Sequence, residues 1–281
     1  MKSVVIQGIK GSFHHEAVNR FFKEEAVEIV DSPTFNSLVK QVVSEQANYG
    51  MMAIENSIAG SILPNYSLMT KNDLYIWGEV KLPIKHNLLA LEGQSLADIS
   101  EVRTHPMALL QCENFLDQYE TWKRLAMDDT ATCARNIKNN QYKGVASIGS
   151  MLAAEMYGLE VLAENIHDVY DNYTRFYLLS KQPKQVEGFN KASLYFYTDH
   201  QKGSLNRVLE IFASHDLNLS KIQSVPLTGS VFQYSFHANV VLVNNDYEKY
   251  YQALEKVRQA TRFFKVLGEY MEDQIPSDYQ Y

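Results

Sequence analysis

Ser180-Lys181-Gln182-Pro183-Lys184-Gln185-Val186-Glu187-Gly188 divides the chain into two unlike parts. The stretch is polar, holds a proline that lacks a backbone N–H and ends on a glycine, so it reads as a linker, placed over residues 183–190. Before it, over residues 1–182, short apolar runs alternate with helical patterns, the signature of an α/β region. After it, residues 191–275 follow a compact α+β pattern, βαββαβ.

Working back from the linker, Arg175-Phe176-Tyr177-Leu178-Leu179 reads as the last strand of the first part. Its opening supplies three more: Val4-Val5-Ile6, Val27-Glu28-Ile29-Val30 and Met51-Met52-Ala53-Ile54. Between them Ser12 caps a helix with Ala17, Val18, Phe21 and Phe22 on one face, and Thr34 opens another with Phe35, Leu38, Val39 and Val42. Tyr75 to Lys81 and Asn87 to Leu91 read as strands that carry the chain into a second lobe. Lobe one is therefore expected at about 1–76 and 170–182, and lobe two at about 77–169. There Val102-Arg103-Thr104 runs into Pro106, which suits a first helical turn because it has no N–H to lose. Leu125-Ala126-Met127 leads to a cap at Asp129-Thr130, and Gly144-Val145-Ala146-Ser147-Ile148 to a helix from Ser150 to Tyr157. Beyond the linker, strands at 192–197, 219–225, 232–243 and 264–267 enclose helices at 204–214 and 247–261.

With 281 residues the chain has room for two domains, and 46% hydrophobic residues suffice for their cores. The net charge of −7, with no Lys/Arg-rich run, argues against a nucleic-acid partner. An anionic ligand must then be held by local features, since the overall field repels it. The two cysteines, Cys112 and Cys133, form no C-x-x-C pair, which fits a reducing cytosol. Met1-Lys2-Ser3-Val4-Val5-Ile6-Gln7-Gly8 is too weakly apolar for a signal peptide, and no run approaches the ~20 residues of a membrane span. A soluble, cytoplasmic protein is expected.

Polar residues gather where strands hand over to helices: Gly11-Ser12, Glu55-Asn56-Ser57, Thr104-His105-Pro106 and Asp129-Thr130. In α/β folds these junctions collect at the carboxyl edge of the sheet, where helix N-termini offer unpaired N–H groups to an anion. Each junction alone is explained by turn and capping chemistry. Their order along the chain says more. Gly8-Ile9-Lys10-Gly11-Ser12-Phe13, Glu55-Asn56-Ser57-Ile58-Ala59-Gly60, Thr104-His105-Pro106-Met107-Ala108-Leu109-Leu110-Gln111-Cys112 and Thr174-Arg175-Phe176 follow one another. Together they resemble the prephenate dehydratase family, with its G-x-x-G-[ST]-[FY], E-N-[ST]-x-x-G, S-H-P-Q-x-x-x-Q-C and T-R-F motifs. The trailing βαββαβ unit looks like that family's ACT domain, so the resemblance covers essentially the whole chain.

The resemblance implies a two-lobed catalytic region similar to type II periplasmic binding proteins, followed by an ACT regulatory domain. It implies conversion of prephenate, a small dianion, to phenylpyruvate with loss of carbon dioxide and water, and assembly into a homodimer or homotetramer. Aromatisation drives that reaction, so no cofactor or metal is needed. The chain likewise lacks G-x-G-x-x-G, a P-loop, H-E-x-x-H and a Cys/His ligand array. By carry-over Thr174 assists the departing hydroxyl, as a hydrogen-bond donor or proton relay rather than a fully ionising acid. Arg175 and Glu55 are carried over as the other catalytic candidates, and two roles stay open for Arg175: pairing with a substrate carboxylate, or holding the cleft through a carboxylate such as Glu55, since neighbours on a strand face opposite ways. Ser12, Asn56, Ser57, Thr104 and Gln111 are carried over as substrate-positioning residues. Thr104 and Met107 depart from the family's Ser and Gln; the second loses a hydrogen-bonding group.

In the trailing unit, Gly203-Ser204-Leu205 resembles the family's G-A-L phenylalanine motif, and Asp216-Leu217-Asn218-Leu219 matches the loop that, in the family, completes that site from a neighbouring subunit. Gln223-Ser224-Val225-Pro226 stands where the family has Glu-Ser-Arg-Pro, without either charge. Phenylalanine is the expected effector. The rival readings are arogenate dehydratase, which acts on the amino analogue of prephenate, and a non-catalytic amino-acid sensor, which would not need Thr174.

Overall fold

The computed structural model describes residues 1–23, 25–184, 186–227 and 229–275, so Gln185 of the expected linker lies outside the described residues. The first lobe opens with β1 (Lys2–Gln7), α1 (Phe13–Phe22), β2 (Val27–Ser32) and α2 (Phe35–Val43). It continues with β3 (Tyr49–Asn56), the short β4 (Gly60–Ser61), α3 (Leu63–Lys71) and β5 (Tyr75–Pro83). The second lobe starts with β6 (Asn87–Ala90), β7 (Glu101–Thr104), α4 (Pro106–Gln111), α5 (Glu113–Leu116) and β8 (Lys123–Ala126). It ends with α6 (Thr130–Asn140), β9 (Val145–Gly149), α7 (Met151–Tyr157) and β10 (Glu160–Ala163), after which β11 (Tyr173–Ser180) returns to the first lobe.

The first sheet runs β2-β1-β3-β11-β5 and the second β10-β6-β9-β7-β8. β1, β2 and β3 are parallel, whereas β11 is antiparallel to both of its neighbours. The crossing expected near residue 76 falls after Pro83 instead. β5 pairs with β11 along its length, from Tyr75 opposite Ser180 to Pro83 opposite Tyr173, and so belongs wholly to the first sheet. Backbone groups buried in a sheet must be paired, and splitting β5 at residue 76 would strand one edge of β11.

The expected caps are in place. Ser12 Oγ accepts from the His15 N–H, Thr34 Oγ1 from Ser37, Asp129 Oδ1 from Thr132 and Ser150 Oγ from Ala153. α3 has no counterpart in the sequence reading: its apolar residues do not recur on one face, and a proline sits in its first turn.

The C-terminal unit is β12 (Lys191–Tyr197), α8 (Ser204–Ser214), β13 (Asn218–Pro226), β14 (Tyr234–Val241), α9 (Tyr247–Ala260) and β15 (Phe263–Tyr270). Its antiparallel sheet runs β13-β14-β12-β15 and packs onto the first lobe. Val225, Leu267 and Tyr270 share one buried cluster with Tyr66, Ile76 and Tyr177 of that lobe. β15 comes so near β5 that a Cβ at Gly268 would run into the Ile76 carbonyl, which explains glycine there. Among the described residues, five ion pairs cross the same boundary: Lys191–Glu79, Lys81–Glu272, Arg20–Asp273, Lys221–Glu55 and Lys265–Asp73. Among the described residues, no helix is long and apolar enough to cross a membrane.

Candidate active site

A cleft of about 370 Å³ opens between the two lobes at the carboxyl ends of their parallel strands and the amino end of β11. Gln7 and Gly8 reach it from the end of β1, Asn56 from β3, His105 from the end of β7, and Thr174 and Phe176 from β11. Ser12 and Thr130 also line it, so the first turns of α1 and α6 border the cleft. Their free N–H groups supply positive potential in an acidic protein. The rings of Phe13, Phe35 and Phe176 make the rest of the wall largely apolar, which strengthens each polar contact inside.

One hydrogen-bond chain runs along the floor, and its polarity can be read outward from fixed backbone groups. The N–H groups of Ile58 and Ala59 donate to Asn56 Oδ1 at 3.0 and 2.9 Å, which sets the orientation of that amide. Asn56 Nδ2 therefore donates to Asn172 Oδ1 at 2.7 Å and to Thr174 Oγ1 at 3.1 Å. Asn172 Nδ2 in turn donates to Gln111 Oε1 at 3.0 Å. The same oxygen lies 2.9 Å from His86 Nε2, which must carry the proton. An amide nitrogen cannot accept, so Thr174 Oγ1 is an acceptor toward Asn56 and its own O–H stays free to donate. The cleft is thus fitted with a hydroxyl whose proton is not spent on Asn56.

Thr174 and Asn56 are Cα partners across β11 and β3, and the next pair along is Arg175 with Glu55. Alternation turns that second pair to the opposite face. Arg175 lies 3.6 Å from Glu55 and 4.0 Å from Glu79, and neither Arg175 nor Glu55 lines the cleft. Burial pulls the Arg175 guanidinium down, but Tyr177, Glu79 and Glu55 outweigh it, and the net shift is upward. Of the two roles open to Arg175, the geometry supports holding the strand from behind.

The other expected residues divide as sharply. Ser12, Asn56 and Gln111 line the cleft. Thr104 is a correction: it is fully buried in lobe two and donates to the Ile148 carbonyl at 2.8 Å. Ser57 is another, for its hydroxyl donates to the Asp171 carbonyl at 2.7 Å and accepts from the Tyr173 N–H at 2.9 Å, tying two loops. The Gly8–Gly11 turn serves the contact between lobes. Ser150 Oγ donates to the Gly11 carbonyl at 2.7 Å, and a Cβ on Gly11 would press on Tyr157 and Ala153. Sequence reasoning missed His86, Asn172 and His14. Asn172 stands two residues before the T-R-F motif, whereas a lone histidine beside a strand carries no distinguishing signal.

Among the described residues, no group of three or more His, Cys, Asp or Glu side chains is arranged to hold a metal ion. In the C-terminal unit a second pocket, about 350 Å³, is lined by Ser204, Leu205, Asp199 and Tyr234 among others. Gly203, at a φ of 81°, caps α8 beside it, while Asn218 is exposed at the start of β13 and does not line this pocket.

Burial pushes His14 and His86 down to about 4 and His237 down to about 3, while it pushes Glu16 up to about 7. A histidine with a lowered folded pKa stabilises the fold above its unfolded value and loses that contribution as pH falls. Glu16 works the other way. On unfolding near pH 5.5 these three histidines each take up a proton and Glu16 releases one, and His15 and His167, also lowered by burial, add to a net uptake of at least two. Stability is expected to fall by roughly 3 kcal/mol per pH unit between about 6.5 and 4.5. Urea titrations across that window check this, and a flat or rising stability toward pH 4.5 would refute it.

Comparison with known proteins agrees with this geometry. The family model described as prephenate dehydratase matches residues 4–184. The arogenate dehydratase/prephenate dehydratase 2 of Arabidopsis thaliana is 35% identical, covering 96% of this chain and 73% of that protein. The solved prephenate dehydratase of Arthrobacter aurescens, in complex with L-Phe, superposes with a TM-score of 0.81 at 26% identity, over 99% of this chain and 91% of that one. GqqA, described as a novel type of quorum quenching acylase, superposes with a TM-score of 0.86 at 27% identity, over 97% and 98% of the two chains. On the family match and the whole-length relative together, the chain belongs to the prephenate dehydratase family, a family of carbon–oxygen lyases.

Proposed function

We propose that the chain converts prephenate to phenylpyruvate, with Thr174 as the group that assists loss of the ring hydroxyl. The observation that carries this reading is the Thr174 O–H, left by Asn56 free to donate into a cleft whose wall is largely apolar. In the reaction the bond to the ring carboxylate breaks and its electron pair enters the ring. The C–O bond to the hydroxyl breaks, and the departing hydroxide takes up one proton to leave as water. Carbon dioxide and an aromatic ring remain. The protein's tasks are to orient the dianion, strip water from the carboxylate that is lost and stabilise charge on the departing oxygen. The first turns of α1 and α6 suit the carboxylates, and Gln111 suits the hydroxyl rim.

Arogenate is a second reading with its own support. Asp128 lines the cleft, and its carboxylate is suited to an ammonium group in place of the keto oxygen. Both oxygens of neighbouring Asp129 are held by Thr132, so Asp128 would act alone. Turnover on each substrate decides. We expect kcat/KM to be higher for prephenate; a higher value for arogenate would overturn the substrate assignment and leave the family unchanged.

The C-terminal βαββαβ unit serves as an ACT domain, with phenylalanine as the effector of the pocket at Ser204 and Leu205. Support comes from that pocket, from the N-terminus of α8 beside it and from the L-Phe bound in the Arthrobacter relative. Asn218 would reach such a ligand only from a second subunit, in a homodimer or homotetramer. A cytoplasmic location fits the two unpaired cysteines, both buried.

A further inference from the structure

Among its contacts with the first lobe, the C-terminal unit places one lysine behind the strand pair that carries Asn56 and Thr174. β13 breaks register between Leu219 and Lys221, a bulge of the kind that re-aims side chains. Lys221 Nζ stands 2.6 Å from Glu55 Oε1 and 2.8 Å from Ser61 Oγ, with the side chain only 12% exposed. The other carboxylate oxygen, Glu55 Oε2, is buried without a hydrogen bond and faces Arg175 at 3.6 Å. Glu55 is therefore shared between a lysine of the C-terminal unit and the arginine adjacent to Thr174.

The position of that carboxylate matters to the strand pair. Glu55 and Arg175 are opposite one another, Asn56 and Thr174 are the next pair, and β11 changes register immediately after Arg175. β11 stays in register with β5 through this point, so the irregularity lies on the β3 side alone, where the ion pair behind the strands bears on how Asn56 meets Thr174. We propose that Lys221 is a positioning residue of the dehydratase site: by fixing Glu55 it fixes Arg175, and through the strand it fixes the Thr174 hydroxyl. The C-terminal unit thereby completes the support of a site that it does not line. This rests on Thr174 being the donor, which the Thr174→Ala variant tests separately.

The test is steady-state turnover of the full chain with three substitutions. Lys221→Met lowers kcat about tenfold and leaves KM within about twofold, because the substrate contacts survive while the donor is misplaced. Lys221→Arg restores most of kcat, since a guanidinium reaches the same two oxygens. Glu55→Gln lowers kcat to a similar extent, and combining it with Lys221→Met adds little further loss. Wild-type kcat in Lys221→Met overturns the proposal, as does failure of Lys221→Arg to recover activity with an unchanged melting temperature. Should Lys221→Met not fold, wild-type kcat in Glu55→Gln alone overturns it.

Discussion

Thr174→Ala is expected to lose roughly 10²- to 10³-fold in kcat, the range for removing one preorganised donor to developing charge, while folding normally. The two halves of this expectation have separate grounds. Thr174 Oγ1 accepts one hydrogen bond, from Asn56 Nδ2, which also donates to Asn172 Oδ1 and to the Tyr173 carbonyl. Removing the hydroxyl therefore leaves no buried donor without a partner, and the cost to stability is small. The only function lost is the free O–H facing the cleft. Thr174→Ser, which retains it, is expected to keep at least roughly a tenth of the turnover. Steady-state kinetics and melting curves on both variants check the pair of claims. Near-normal turnover in Thr174→Ala would remove Thr174 from the mechanism.

The largest expected effect on stability is at Lys191. Its side chain and that of Glu79 are both completely buried, with Nζ 2.8 Å from Glu79 Oε1 and 3.1 Å from Glu272 Oε1. Among the described residues, the remaining oxygen, Glu79 Oε2, has no hydrogen bond and faces Arg175 at 4.0 Å. Lys191→Met fills the same space but leaves the Glu79 carboxylate buried with half of its compensation gone. Breaking one partner of a buried pair costs about 3–5 kcal/mol, here a drop of roughly 10 °C in melting temperature. Replacing both, as Lys191→Met with Glu79→Leu, is expected to recover part of the loss, because the orphaned charge is then absent. A single variant that melts within about 2 °C of the wild type would contradict this.

The four motifs made the cleft legible because each is a local strand-to-helix junction. Asn56, Gln111 and Thr174 were each readable from a few consecutive residues, and the topology brings them together. The period of two along a strand raises the reading that Arg175 faces away from Thr174 and leaves a substrate contact equally open; Arg175 does not line the cleft. What local sequence does not encode is partnership at long range. The tie between Lys221 and Glu55 spans 166 positions and that between Lys191 and Glu79 spans 112. His86 closes the floor network solely because the crossing strands set it beside Gln111. Thr104 and Ser57 misled for a different reason: hydroxyls at such junctions serve a cleft or satisfy a carbonyl equally well. The chemistry of the side chain does not distinguish the two. The misplaced crossing at residue 76 has the same origin, since the reach of β5 is set by β11, a strand far along the chain.

Incubating the purified protein with prephenate and following phenylpyruvate together with carbon dioxide tests the central claim most directly. The account predicts both products in equal amounts, formed without added cofactor. Prephenate recovered unchanged by protein that is folded would contradict it.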